Sequence, residues 1–490
     1  MSVANVTATL AAWIADIKFE DLPRRVVEEA KSQTLGIIAA VHAGHFSEVG
    51  RTIRRAVQEW ETGKDATMIP SGERTSLHSA IFANTALSNA LDYDDYLVGG
   101  HTGHVAVLVT LALAEKLGTT GKEFLVAQVL ANEIQARLGV AVSADAFSAE
   151  RLSAAHMVGG VVVASRLLGL KAEQIRSALG IALLQPGQAL PAGYLGTEAK
   201  TVAIGMSAPL GVRAALLAEK GLRGADDILE NPDGFLAAFS DKPQLGAFEN
   251  LGVNWLMETL CYKVYPGSAY IDTTIDCILD IVRQHSIDAR KVKAVQVAAS
   301  EATVEMDRRI APRVRGADTP LPALHEVLSY NIAAALLDRE LTARQFTPER
   351  VRDQAIWNLA GRVQLTLDGT MAQRARDNAL IKRSEHSGEP LPFKLLEADL
   401  ARFRMSCGAR VRVEMEDGRS FEAEEEVPVG AAGRSFDERR KAVENKFRRE
   451  TRYTLRKERM ERAIDIILHI EETNAAQLRE LIRLCCSERR

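Results

Sequence analysis

Cysteine is scarce in this 490-residue chain and falls in no metal-site or disulfide pattern. The five residues, Cys261, Cys277, Cys407, Cys485 and Cys486, show no CxxC spacing and are odd in number. That usage fits a reducing, cytoplasmic compartment and offers no thiolate set for an iron–sulfur cluster. An excess of one charge sign is also missing: 61 basic and 65 acidic residues leave a formal net charge of −4. Neither nucleic acid nor an anionic membrane is therefore expected as a partner. Apolar runs are always interrupted by charge before the ~18 residues a membrane span needs, so no span is expected. The opening stretch MSVANVTATLAAWIADIKFED lacks a basic leader and meets Asp16 and Lys18 early. It reads as a capped amphipathic helix, not a secretion signal.

With 47% hydrophobic and 26% charged residues, the chain has an ordinary globular composition and enough length for more than one domain. Residues 1–265 are helical by pattern. The segments 105–118, 121–139, 161–169 and 172–185 are too apolar for surface helices and read as packed core helices. Thr120 and Glu123 have capping-box spacing, Gly118 and Gly139 read as helix stops, and Glu133/Arg137 reads as an i,i+4 ion pair. After Pro266 the texture changes. Residues 292–300, 363–368 and 410–429 alternate with period two, the last around a hairpin turn at Glu416–Arg419. From about 435 the helical period returns with a dense charge run, simplest as a solvated helix face. The expected fold is mainly α: an all-helical domain built from both chain ends (1–265 and 432–490), interrupted by an α+β lid domain at 266–431. A cleft between them is the default place for a small-molecule site.

One stretch stands out. Residues 91–104, LDYDDYLVGGHTGH, put three aspartates and two histidines between apolar, alanine-rich segments. His101 titrates near neutrality in an ordinary setting, which suits a general base or acid. The Gly99-Gly100 pair leaves the loop free to carry it toward a cleft. Lys200 and Lys263 stand in apolar or small-residue surroundings, where a lysine clamps a carboxylate or, with a lowered pKa, supplies a proton. Asp92 is placed to orient His101 or one of those lysines. Asp94 and Asp95 read as helix-end or packing charges, and His104 as a cap for a helix starting at Val105.

Several motifs, in order, resemble the MmgE/PrpD family, whose members include dehydratases, a decarboxylase and an epimerase of small carboxylic acids. They are LDYDD…HTGH followed by LALAEKLGTTGKEFL, His156 ahead of a glycine-rich apolar helix, and LGLKAEQIRSALGIA. TEAKTVAIG with AALLAEKGLRG, NPDGFLAAF and YKVYP complete the series. The resemblance covers most of the chain. It implies a two-domain fold, a homodimer, and no metal or organic cofactor. It carries the family's active-site residues onto Asp92, His101, His156, Lys200 and Lys263, with Tyr330 contributed from the second domain. Tyr96, Ser268 and Tyr270 are further candidate substrate contacts. The chain departs from the family at Ala269 and Asp272, where an arginine and a histidine are usual. Loss of the guanidinium removes a bidentate carboxylate clamp and points to fewer or differently held carboxylates.

Three functional classes follow. The first is a cofactor-independent hydro-lyase on a small carboxylic acid, abstracting or delivering a proton α to a carboxylate. The second is an epimerase or decarboxylase working through the same enolate, and the third is a helical scaffold without activity. The aspartate run could instead bind Mg²⁺, and the HxxH pairs His101/His104 and His42/His45 could bind zinc. No matched further ligand accompanies either pattern.

Overall fold

A computed structural model describes residues 5–60, 63–142, 151–382, 391, 393, 395 and 398–487. The chain is mainly helical. The helices that build the site are α1 (Arg24–His45), α2 (Leu77–Asn89), α3 (Gly103–Leu117), α4 (Gly121–Val142), α5 (Ser153–Leu167) and α6 (Ala199–Glu219). They are followed by α7 (Asp272–Gln284), α8 (Leu328–Asp338) and α9 (Phe436–Thr451). The first six pack into one apolar core because their sequences are hydrophobic almost all round; α3 buries every residue from Gly103 to Glu115. Small residues set the spacing between helices. A Cβ at Gly211 on α6 would lie 1.9 Å from the Met157 carbonyl oxygen of α5, so only glycine permits that approach. Helix α6 is long and apolar enough to cross a membrane by length and composition, but it packs against α2 and α5 within this core.

Of the three sheets among the described residues, two matter to the site and the second core. Two-residue strands β1 (Asp95–Tyr96) and β2 (Cys261–Tyr262) pair antiparallel, with Asp95 opposite Tyr262 and Tyr96 opposite Cys261. A four-stranded sheet follows, made of β3 (Val292–Ala299), β4 (Val363–Leu367), β5 (Ala409–Met415) and β6 (Ser420–Glu425), in the order β4-β3-β5-β6. β3 runs parallel to β4 and antiparallel to β5, and β5 and β6 form the hairpin that turns at Gly418. The sheet is buried on one face by α7 and α8, which is why β5 alternates buried and exposed residues.

The apolar residues sort into two main cores. One joins residues from Leu10 to Tyr262 with Val443 to Cys485, and it also takes Phe393, Leu395 and Leu400 from the intervening span. The other comprises mostly residues between Val264 and Met415.

Local expectations fare unevenly. The Thr120/Glu123 capping box forms, with Thr120 N donating to Glu123 Oε2 at 2.8 Å. Gly118 ends α3 in the left-handed conformation, whereas Gly139 does not end α4, which continues to Val142. Gly139 is there for closeness: its missing Cβ would stand 1.7 Å from the Gly99 carbonyl oxygen. The charge run of α9 is also not simply solvated. Arg439, Lys446 and Glu450 are buried against α1 and the site, because α9 lies across α1 with one charged face inward.

The Glu133/Arg137 pair is fully buried, with Nε 2.8 Å from Glu133 Oε1. Arg137 also donates to the carbonyls of Ala247, Glu249 and Asn254, and Glu133 accepts from Leu256 and Met257 N–H. Together they tie α4 to the segment that leads into β2. Arg137→Met is expected to cost about 3–5 kcal/mol, because it strands a buried carboxylate. Urea unfolding of the variant against the parent chain measures this; a difference within about 1 kcal/mol contradicts it.

Candidate active site

Strand pairing assembles the site. β1 fixes Asp94 and Asp95 beside β2, and Lys263 N donates to the Asp94 carbonyl at 3.2 Å, so the Lys263 side chain starts next to the aspartates. Asp92 turns the chain out of α2 with φ 49°, a left-handed conformation that aspartate tolerates better than most residues. Its carboxylate sits between two ammonium groups: Lys263 Nζ at 2.9 Å from Oδ1 and Lys200 Nζ at 3.2 Å from Oδ2. Lys263 also reaches Asp94 Oδ1 at 3.0 Å, and Lys200 reaches Glu326 at 3.1 Å. Burial opposes charge on Asp92, but the two lysines overcome it and hold the carboxyl well below the usual carboxylate range.

Asp94 organises the histidines. His101 Nδ1 lies 2.6 Å and His104 Nε2 2.9 Å from the same oxygen, Asp94 Oδ2, and His104 Nδ1 meets Ser88 Oγ at 2.7 Å. Burial again works against ionisation, and His101, Lys263 and His104 reverse it, so Asp94 is held well below its ordinary value. A carboxylate accepting from Nδ1 fixes the His101 tautomer and ring orientation. Asp94 is thus a positioning group for His101, not a packing charge. His104 is not a cap either: the helix begins at Gly103, and the His104 ring is buried against Asp94. Asp95 does sit at a helix end, accepting from Gly103 N at 3.2 Å and from Gln33 Nε2 at 3.1 Å. Gln33 and Thr102 both bond Asn132 of α4, so a buried polar network anchors the far end of the loop.

The glycines between Asp94 and His101 do not loosen this loop. Gly99 (φ 109°) lies so close to α4 that a Cβ would come within 2.2 Å of the Ala136 carbonyl oxygen. Leu97 and Gly100 exchange backbone hydrogen bonds, and the loop is clamped.

Asp92, His101 and Lys263 open onto a cavity of about 370 Å³. Tyr96, Ser268 and Tyr270 line it as well, with the Tyr96 ring 6.1 Å from that of His101. Lys200 stands behind Asp92, its Nζ 5.1 Å from the Tyr194 ring centre. His156 is buried on α5, its Nδ1 3.3 Å from Gln135 Oε1, and is not among the lining residues. Burial, aided by His104, pushes it down to about 3 and keeps it neutral. Tyr330 points into the second core, where its hydroxyl donates to the Gln345 carbonyl and its ring meets Phe346 and Trp357. It does not line the cavity, because α8 turns that face toward Gln345, Phe346 and Trp357. Cys261 is buried, its thiol pushed up to about 12, which leaves no thiolate for nucleophilic work.

Five neighbours join the site that the sequence did not assign to it. Glu326 binds Lys200, and buried His325 is pushed down to about 3 by desolvation. Asp272 is buried with neither carboxyl oxygen hydrogen-bonded among the described residues, and burial and Asp276 raise it well above its ordinary value. Lys446 donates to the carbonyls of Tyr93 and Lys263 and is pushed down to about 7 by burial. Asp94 is the fifth. The signal for His325 and Glu326 was present: they interrupt the apolar run LPALHEVL, as Lys200 interrupts its own.

Two trios among the described residues, Asp92/Asp94/His101 and Asp92/His325/Glu326, have ligand-type atoms within 4.8 Å of one another. In the first the Lys263 ammonium bridges both aspartates, and in the second the Lys200 ammonium bridges Asp92 and Glu326. Each trio therefore already has a resident cation.

Profiles of the MmgE/PrpD N-terminal and C-terminal domains match residues 8–247 and 265–388. The chain belongs to the MmgE/PrpD family. It is 27% identical to a cis-aconitate decarboxylase-like protein of Aspergillus oryzae, over 99% of this chain and 98% of that one. It is 25% identical to human cis-aconitate decarboxylase over 74% and 77% of the two chains. A probable 2-methylcitrate dehydratase of Saccharomyces cerevisiae is 26% identical over 64% and 65%. Within this MmgE/PrpD chain Ala269 lines the cavity.

Asp95 offers a direct test of the electrostatics. Burial and the Asp94 charge raise it from 3.8 to about 6. Between those pH values only the unfolded chain releases the proton, so stability is lost as pH rises through the interval and levels off above it. Asp95→Asn lacks that loss. Its advantage over the parent chain is expected to grow by on the order of 2 kcal/mol across the interval, read from paired denaturation curves. A gap independent of pH contradicts the assignment.

Proposed function

We propose that this chain is a lyase acting on a small carboxylic acid, moving a proton α to a carboxylate. The observation that carries the reading is the Asp94–His101 pair at the cavity wall beside the Lys263–Asp92–Lys200 cluster. His101, oriented by Asp94, takes the α-proton, and the electron pair left on carbon delocalises into the carboxylate as an enolate. Lys263, at the same wall, stabilises that charge through a preorganised ammonium group. Collapse of the enolate expels hydroxide from the neighbouring carbon, which leaves as water with a donated proton. This is the hydro-lyase reaction expected from the sequence.

A second reading is decarboxylation, in which carbon dioxide leaves and the same histidine returns a proton to carbon. It is favoured by the Aspergillus oryzae relative, matched over nearly the whole of both chains and bearing a decarboxylase-like name. Neither reading requires a cofactor.

Proton exchange at the α-carbon in deuterium oxide, followed by NMR, tests the reading. His101→Ala and Lys200→Ala are each expected to slow exchange by about 10²-fold or more. Water loss or carbon dioxide release then separates the two reactions. Exchange unchanged in both variants overturns the site.

We also propose a homodimer joined through the outer side of α6. Met206, Leu210 and Leu217 lie on one helical face there and are 61%, 45% and 47% exposed. Sedimentation equilibrium is expected to give about twice the 53.5 kDa chain mass, falling to one chain mass in Leu210→Asp. A parent chain sedimenting as a monomer contradicts this.

A further inference from the structure

We propose that the acid this site accepts carries its carboxylate at the Lys263–His101 end and an apolar arm of several carbons at the other. This rests on the lyase reading for the polar end, while the arm is argued from the cavity itself. Besides Asp92 and His101, the cavity is lined by Val140, Leu380, Ile381, Phe403 and Met405. These come from three separate stretches, α4, the segment after residue 378, and the segment before β5, and they converge on one space. The polar side chains of the same stretches are Asn378 and Ser406, which bond each other at 2.7 Å, and the exposed Arg404.

The charge count points the same way. Among the described residues, Lys263 is the only buried cationic side chain of the lining, and Asp92 and Asp94 already share it at 2.9 and 3.0 Å. Ala269 also lines the wall and offers no charged group to a carboxylate. The remaining lining cation, Arg404, is exposed at the rim. A polyanion placed here would leave carboxylates desolvated against aliphatic and aromatic side chains, at high cost. A hydrocarbon arm gains from the same wall, and a cavity of about 370 Å³ has room for it beside the carboxylate head.

The test uses 3-hydroxyalkanoic acids from four to ten carbons, with citrate and succinate as polyanionic comparators. Calorimetry on the full chain reads binding, and deuterium exchange at the α-carbon reads the chemistry. Binding is expected to tighten by roughly two- to fourfold per methylene until the cavity is filled, with citrate and succinate weaker than the longer acids. Met405→Glu, and separately Ile381→Ser, should flatten the chain-length dependence while butanoate-length binding persists. Arg404→Ala should leave it intact. Affinity that is flat with length, or tightest for citrate, overturns the proposal even if exchange occurs, and then the lyase reading alone stands. Affinity that rises with length without exchange supports the apolar arm and removes the lyase reading. If Arg404→Ala abolishes binding at every length, the arm ends in an anion and the proposal fails.

Discussion

A single carboxylate held between two ammonium groups organises this protein. Asp92 takes Lys263 on one oxygen and Lys200 on the other, largely buried at the cavity wall. A lone buried charge would be prohibitive, and a pair alone barely compensates for desolvation. The structure answers with a lattice: Lys263 is shared with Asp94, Lys200 with Glu326, and Asp94 with two histidines. Asp92, Asp94, Lys200 and Lys263 thereby each have more than one partner, and the groups come from four distant parts of the chain. Removing any one leaves another buried charge exposed to an apolar surrounding, so the cluster binds the folding of α6, β2, the loop after α2 and the turn before α8 to one another.

That lattice also defines what the cavity can do. The charges inside it are largely satisfied, which leaves His101, held by Asp94, as the group at the wall suited to carry a proton. The clamped loop matters here. Gly99 touches the backbone of α4 and the Gln33–Asn132–Thr102 network secures the far end, so the imidazole is presented by a rigid segment. Rigidity of this kind favours a reaction whose demand is placement of one proton and one developing negative charge. Beyond that polar corner the walls are aliphatic and aromatic, an environment that strengthens each electrostatic contact by excluding water.

Legibility in the sequence followed the range of the interactions. Helix periods, the capping box at Thr120 and the Glu133/Arg137 pair depend on residues three or four apart, and they were readable. So were the alternating strands and the hairpin turn at Gly418. His101, Lys200, Lys263 and Asp92 stood out because charge in an apolar context is conspicuous. Asp94 and Asp95 are neighbours of the same type and looked equivalent; only β1–β2 pairing turns one toward His101 and the other toward the start of α3. Glycine was ambiguous for a similar reason. Gly99 and Gly139 look like looseness and a helix stop in one dimension, and they are a mutual close contact in three.

By itself, then, the amino-acid sequence determined the helical body, the change of texture after Pro266, the family and four members of the charged cluster. Each of these follows from local period, composition or motif order. The tertiary structure decided that Asp94 orients His101, that Glu326 completes the Lys200 site, that Tyr330 and His156 lie off the cavity, and that part of the charge run in α9 is buried. It also decided which apolar side chains line the cavity. Those outcomes depend on which side chains meet across large sequence separations, and burial of an ion is settled by the partners that folding brings to it, not by the residues beside it in the chain.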